Sequence, residues 1–432
     1  MAEEQDPVLV GFSHLMNKYE PVFFGQWRDE ENPPEEGDSS GLSDDQKLKT
    51  LQDLVDSMKH RLLPQLNHQL TTLSDLLFPS AFWKQPEMTR KLVLETQPEL
   101  EKTIDQIKAT IATLCPLPTL STSTRTDDQD LKGLKYYRLQ RLKSKFNEEL
   151  LYHLNQLFTR AYFVFQQIRR VPDEVRPEQF DGWPCREEFA KHVRLGSVTI
   201  ASIVFMIDCS ELDLVQQQWA PELQNIEETM KEMGALIARS SSGRPSPLPV
   251  EFDKLGSFSA RLPANIPPKT MVIRLAQLTL PLVKISRLLF AKVSRPDEDT
   301  DPDGGGERLN RVGLPLYTSM DSAQIEALAD AANRVHQDLA DLLVILQKAA
   351  NRATGLGAAE TRREFSKLAV SLNSHLNSPL SLLRKYYLPL IAQIEGVDAH
   401  AYYTTWFKNW KSLFQRILFK YQRVASAPHP FL

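Results

Sequence analysis

Apolar residues recur along this chain in steps of three and four. Leu48, Leu51, Val55, Met58, Leu62, Leu66, Leu70, Leu73 and Leu77 fall on one helical face. Ser43-Asp44-Asp45-Gln46 before them spells a capping box, in which two side chains satisfy two orphan backbone N–H groups. Pro64 interrupts the run and predicts a kink, because proline lacks a donor and crowds the preceding turn. A second helix is predicted from Thr96 to Leu114, with Leu100, Ile104, Ile107 and Ile111 as its stripe and Pro116 and Pro118 as its stop. Leu131 to Arg170 is a long periodic stretch through Leu139, Leu142, Phe146, Leu150, Leu154, Leu157, Ala161, Phe165 and Ile168. Helices at about 186–207 and 219–239 follow.

Beyond residue 265 the pattern resumes. A helix is predicted from Lys269 to Val293, and Met320-Asp321-Ser322-Ala323-Gln324 caps the next, with Ile325, Leu328, Ala332, Val335, Leu339, Leu342 and Leu346. Thr361-Arg362-Arg363-Glu364 caps another, carrying Phe365, Leu368, Leu372 and Leu376, which Pro379 and Pro389 bend or divide. The last helix runs from about Ala399 to Val424. No segment alternates with period two, so the fold class is all-α: up-and-down bundles of long amphipathic helices. Residues 1–42 read as an acidic, flexible tail with a short helix at Val8–Tyr19. An N-terminal bundle is expected over 43–240, a Ser/Pro-rich linker over 241–264, and a C-terminal bundle over 265–424 with an acidic loop at 296–308.

Composition narrows the class further. A net charge of −4 over 432 residues exerts no global pull on nucleic acid, and no DNA-binding motif is present. Cys115, Cys185 and Cys209 cannot all pair, which predicts a reducing, intracellular compartment. The acidic N-terminus lacks a signal core. The longest uncharged apolar run, Leu195 to Ile207, is shorter than the ~20 residues a bilayer needs, and it predicts a buried core helix.

Chemistry-bearing motifs are scarce. Phosphate-binding glycine loops, a nucleophile elbow and a His-Glu-x-x-His segment are absent, so no catalytic, cofactor or metal residues are assigned. Glu188 and His192 lie one turn apart and offer half a metal site, with no second such pair to complete it. Asp299-Thr300-Asp301-Pro302-Asp303-Gly304 begins like a calcium loop, yet its twelfth position is Asn310 rather than a bidentate Glu. The Asp-rich run at 297–301 also echoes the Mg²⁺ motif of terpenoid synthases, but a proline and glycines place it in a loop. Ser246, in Arg244-Pro245-Ser246-Pro247, is a candidate phosphosite.

The last helix is the most distinctive segment. From Trp406 onward it has five basic residues and no acid. Trp406, Leu413 and Phe419 have the spacing of calmodulin-target anchors, and the same helix suits a membrane surface. The simpler reading makes Phe407, Trp410, Phe414, Ile417 and Tyr421 a core seam. The candidate interaction residues are Trp406, Phe407, Trp410, Lys411, Leu413, Phe414, Ile417 and Phe419. Two further segments are basic: Lys132, Lys135, Arg138, Arg141, Lys143 and Lys145 interleave with Tyr136 and Tyr137, and Lys269 to Arg295 line the helix after the linker. The acidic runs at 29–45 and 297–307 are as suited to fold over them as any anionic partner.

The second half resembles the cyclin-D-binding helical-bundle proteins of the Grap2-and-cyclin-D-interacting type. The resemblance lies in the order of a helix over Leu275–Leu289 ending in a basic turn, a polar linker, a helix from Met320 to Ala350 around Val335, Leu339 and Leu342, and a final pair. It implies a non-enzymatic partner protein of cytoplasm and nucleus that binds through helix faces. The missing catalytic constellation, the long amphipathic helices and the charged segments make a scaffold or regulatory binding protein, with a protein partner and no cofactor, the leading expectation. An all-α enzyme or ligand-binding bundle with a site assembled from distant residues is the alternative. A calmodulin- or membrane-responsive protein acting through 402–423 is the third, with peripheral membrane contact ranked behind protein binding.

Overall fold

The computed structural model describes residues 6–20, 43–78, 84–115, 126–170, 184–241, 268–294, 315–351, 358–390 and 399–425. Among them every regular element is helical and no strand occurs, as the three-and-four spacing predicts. The acidic loop at 296–308, Ser246 and nearly all of the 241–264 segment lie outside the described residues.

The chain divides into two units, Met1–Cys209 and Ser210–Leu432. The division was expected within 241–264. The helix Glu211–Ser241, expected in the first bundle, packs instead among the helices of the second. Its apolar stripe, including Leu212, Val215, Trp219, Ile226 and Met233, is buried there, and that burial decides where the helix belongs.

In the first unit, α1 (Pro7–Lys18) is followed by α2 (Asp44–Ser57), a π-turn (Met58–Leu62) and α3 (Leu63–Leu76). Then come α4 (Pro86–Leu114), α5 (Tyr136–Ser144), a π-turn (Lys145–Leu150), α6 (Leu151–Arg170) and α7 (Pro184–Asp208). The capping box at Ser43 and Gln46 forms as predicted. Pro64 does not break the rod. The π-turn ahead of it adds a residue to the turn, and the Leu63 N–H reaches the Met58 carbonyl. The same device precedes Pro389, where the Leu388 N–H reaches the Leu383 carbonyl. The second predicted helix starts at Pro86, ten residues before the Thr96 signal, and carries Pro98 inside it.

The largest departure concerns the N-terminus. Residues 6–20 are not tail but core. Asp6 caps α1 by accepting from the Val8 N–H at 3.0 Å, and its carboxylate pairs with Arg90 and Arg169 at 3.2 Å each. Val8, Phe12, Leu15 and Tyr19 form one stripe and are buried against the core of the first unit. Polar ties fix the register. The Gln97 amide donates to the Val8 carbonyl at 2.9 Å, Asn155 donates to Met16 at 2.8 Å, and the Tyr19 hydroxyl donates to the Glu101 carbonyl at 3.0 Å. Gly11 allows Gln97 this close, since a Cβ there would stand 2.1 Å from its Oε1. Lys18 adds ion pairs to Glu101 and Asp105 at 2.7 and 2.6 Å.

The second unit comprises α8 (Glu211–Ser241), α9 (Pro268–Val293), α10 (Ser322–Ala329), α11 (Ala331–Asn351), α12 (Ala358–Leu382) and α13 (Ala399–Ala425). The capping box at Asp321 and Gln324 is present, but the predicted single helix breaks at Asp330 into α10 and α11. Thr361 lies inside α12 rather than at its cap. α9 packs on α8, α11 and α13, and α12 bridges α11 and α13. The Trp219 indole stacks edge-on to Phe290 and donates to the Leu328 carbonyl at 3.1 Å. α9 and α13 run antiparallel, because Lys292 meets Tyr402 while the Trp410 indole donates to the Ile285 carbonyl at 2.9 Å.

If α1 is part of the core, Phe12→Ala leaves a cavity and lowers unfolding stability by about 3–5 kcal/mol. Guanidinium titration of the full chain measures this, and a change under ~0.5 kcal/mol contradicts the assignment.

Candidate functional site

Folding brings together side chains that are distant in sequence. Asp338 on α11 faces Ser371 and His375 on α12. Asp338 Oδ1 accepts from the Ser371 hydroxyl at 2.9 Å, and Oδ2 lies 2.8 Å from His375 Nδ1. A nucleophilic relay needs acid and serine on opposite ring nitrogens. Here both meet Nδ1, with Ser371 at 3.4 Å, so the cluster clamps two helices and activates no hydroxyl. Burial raises the Asp338 carboxyl, partly offset by these two hydrogen bonds.

A second cluster joins α6 and α7. Glu188 does have a counterpart: Glu149 precedes His153 by the same four residues, a repeat the sequence reading did not register. The two imidazole centroids stand 5.8 Å apart, with Tyr152 edge-on to both. Both Nδ1 atoms are buried without a hydrogen-bond partner. The carboxylates do not bond these buried Nδ1 atoms. Glu149 pairs with Lys145, and Glu188 stays 3.9 Å from His192 Nε2. Among the described residues no group of three or more His, Cys, Asp or Glu converges as a metal site. Burial is the main cause that pushes both histidines below their usual range; the His153 ring adds to the lowering at His192 and Lys145 to that at His153, while Glu188 and Glu149 oppose it.

The recess lined by Pro98, Glu101, Lys102, Asp105, Gln106 and Ala109 belongs to α4 alone and is open to solvent. One helix face cannot enclose a substrate. The thiols of Cys115 and Cys209 are buried, Cys185 is half-buried, and none of the three forms a disulfide. Burial pushes the Cys115 thiol up to about 11, which removes its thiolate character at neutral pH.

Two surfaces stand out instead. α7 is the only described helix long and apolar enough to cross a membrane by composition, yet just 39% of its most apolar stretch is buried. Val193, Ile200, Ile203, Met206 and Ile207 face the core. The opposite face carries Leu195, Val198, Ala201, Ser202 and Phe205, with Val198 65% and Phe205 38% exposed. No charge interrupts it between Arg194 and Asp208. The Leu195–Ile207 run is thus a core helix on one side only.

α13 likewise has two faces. Phe407, Trp410 and Phe414 are buried with Tyr403, Leu418 and Tyr421, so the expected core seam forms, with Leu418 taking the place expected for Ile417. Trp406, Lys411 and Ile417 are half-buried. Leu413 and Phe419 project outward at 44% and 66% exposure. Of the other basic segments, Lys135 and Arg138 prove to be buried rather than displayed.

The fold and these surfaces define an all-α protein of two helical units without an assembled reaction centre among the described residues. Two family models match the chain, each described as a domain of unknown function: DUF8723 over residues 51–210 and DUF8721 over residues 210–422. Their common edge coincides with the division between the units, and α1 precedes the first matched region. No curated protein and no solved structure matches the chain.

The histidine pair predicts a pH response. The unfolded chain takes up these protons near pH ~6.5, whereas the folded chain does so only at lower pH. Stability is full above the unfolded value and is lost as pH falls through the folded values. Denaturation at pH 7.5 and 5.5 should therefore show a weaker fold at 5.5, and His153→Gln/His192→Gln should flatten the difference. An undiminished difference in the double variant assigns it elsewhere.

Proposed function

We propose that the chain is a non-enzymatic helical-bundle protein that binds another protein through a helix face. The observation that carries the reading is the uncharged outward strip of α7, Leu195, Val198, Ala201, Ser202 and Phe205. A soluble surface helix ordinarily places charged residues on its outer face. A strip of two to three turns without them marks a docking surface, best suited to the apolar face of a partner helix. Regulatory binding through helix faces is also what the resemblance to cyclin-D-binding bundles implies. The calmodulin reading is less well supported, because calmodulin encloses a helix on all sides. Release of α13 would expose Tyr403, Phe407, Trp410, Phe414, Leu418 and Tyr421 and open the second core.

Affinity capture of the full chain from its native cells, with mass spectrometry, tests the reading. Wild type should retain a stoichiometric protein that Val198→Lys/Phe205→Lys loses at least tenfold, while its melting temperature stays within a few degrees. A partner retained equally by the double variant moves the surface away from α7. Catalytic turnover by the purified chain overturns the non-enzymatic assignment.

A further inference from the structure

The helices α9 and α13 pack side by side and share an unusual charge content. α9 carries Lys269, Arg274, Lys284, Arg287 and Lys292, α13 carries Lys408, Lys411, Arg416, Lys420 and Arg423, and neither contains an Asp or Glu. These basic residues sit in a chain whose net charge is −4. Acidic residues of the same unit collect elsewhere: α8 holds Glu211, Asp213, Glu222, Glu227, Glu228 and Glu232. Among these positive residues Arg287 is tied to Glu227 at 3.1 Å, but Lys408, Arg416 and Arg423 are exposed on α13.

Apolar side chains are interspersed with this charge. Lys284, Leu288 and Lys292 are one turn apart on α9, with Leu288 exposed. Lys292 lies against the Tyr402 ring at 4.9 Å and donates to its hydroxyl at 2.9 Å, which makes the α9 stripe continuous with α13. Along α13, exposed Tyr402, Leu413 and Phe419 alternate with Lys408, Arg416 and Arg423. Leu413 and Phe419 are roughly 120° apart about the helix axis, at 100° per residue. A single partner helix seated in one groove reaches one of them. A plane reaches both, with Arg416 between.

We propose that the outer face of α9 and α13 docks on an anionic phospholipid bilayer, with Leu413, Phe419 and Leu288 entering the headgroup boundary and the exposed Lys284, Lys408, Arg416 and Arg423 meeting the phosphates. The arrangement matches the requirements of an interfacial helix: a basic polar face, aromatic and Leu anchors, and length. α13 has 27 residues, about 40 Å of contact. Long basic side chains extend their stems over apolar neighbours while the charged ends reach phosphate. Basic residues near such a surface contribute additively and their effect is screened by salt. This face is distinct from the α7 strip, so the proposal stands or falls independently of the protein-binding reading.

Sedimentation of the full chain with vesicles provides the test. Vesicles of phosphatidylcholine with 30 mol% phosphatidylserine should bind it at least tenfold more tightly than pure phosphatidylcholine, and raised salt should weaken the binding. Arg416→Glu should reduce binding several-fold, as should Leu413→Ser/Phe419→Ser, with melting temperatures unchanged. Lys231→Glu on α8 makes the same change in net charge and should have no effect. Equal binding to both vesicle types, no binding to either, or equal losses in Arg416→Glu and Lys231→Glu overturns the proposal. Binding of soluble poly-glutamate without binding to the serine-lipid vesicles also overturns it, in favour of an acidic protein partner.

Discussion

The first unit depends on how α7 ends. A helix leaves its last carbonyls without partners, and burying them unpaired costs about 1–3 kcal/mol each. Arg138, buried on α5, resolves this: its guanidinium donates to the carbonyls of Met206, Ile207 and Cys209, the last at 2.9 Å. A cation at the negative end of the helix dipole adds to the effect. Lys59 holds Asp208 from the π-turn after α2. Two residues after Asp208, Ser210 and Asp213 cap the next helix reciprocally, with Asp213 Oδ2 accepting from the Ser210 N–H at 2.9 Å. The chain thereby passes from one unit to the next with the end of one helix and the start of the other both satisfied.

With its end fixed, α7 has its rotation set by the inward residues Ile200, Ile203 and Met206. Its outward strip, Leu195, Val198, Ala201, Ser202 and Phe205, is then held on the face away from the core. α13 follows the same logic in the second unit. Its inner seam is anchored by the Trp410 indole on the Ile285 carbonyl and by Tyr421 edge-on to Phe365. The anchored seam obliges Leu413, Phe419 and the basic residues to point outward. In both cases core packing on one face determines what the other face presents, and the two faces differ in chemistry: uncharged on α7, basic and aromatic on α13.

The apolar stripes, and with them the fold class, were legible in the sequence because helical periodicity is local. Most expected positions in the last helix are buried, and the Ser43 and Asp321 capping boxes form. The core role of α1 was obscured because the acidic residues after Tyr19 dominate its neighbourhood, whereas burial depends on Gln97 and Asn155, 80 and more residues away. The boundary at Ser210 was hidden by a Ser/Pro-rich stretch that looked more like a linker. Its signal is modest, a Ser three residues before an Asp, and it gains meaning only once Arg138 closes the preceding helix. Arg138 itself read as a member of a basic surface cluster, since composition does not distinguish a displayed cation from one that terminates a helix. The outward strip of α7 was missed because an uncharged run suggests burial on all sides.

The Arg138 interaction can be tested directly. Arg138→Met keeps much of the side-chain volume and removes the donors to three carbonyls. Guanidinium titration of wild type and variant should show a loss of about 3–5 kcal/mol, from three carbonyls left without donors, with hydrogen exchange at the amides of 203–209 rising most. A variant as stable as wild type, with exchange unchanged at the end of α7, would contradict the claim that this guanidinium sets the end of the helix and the display that follows from it.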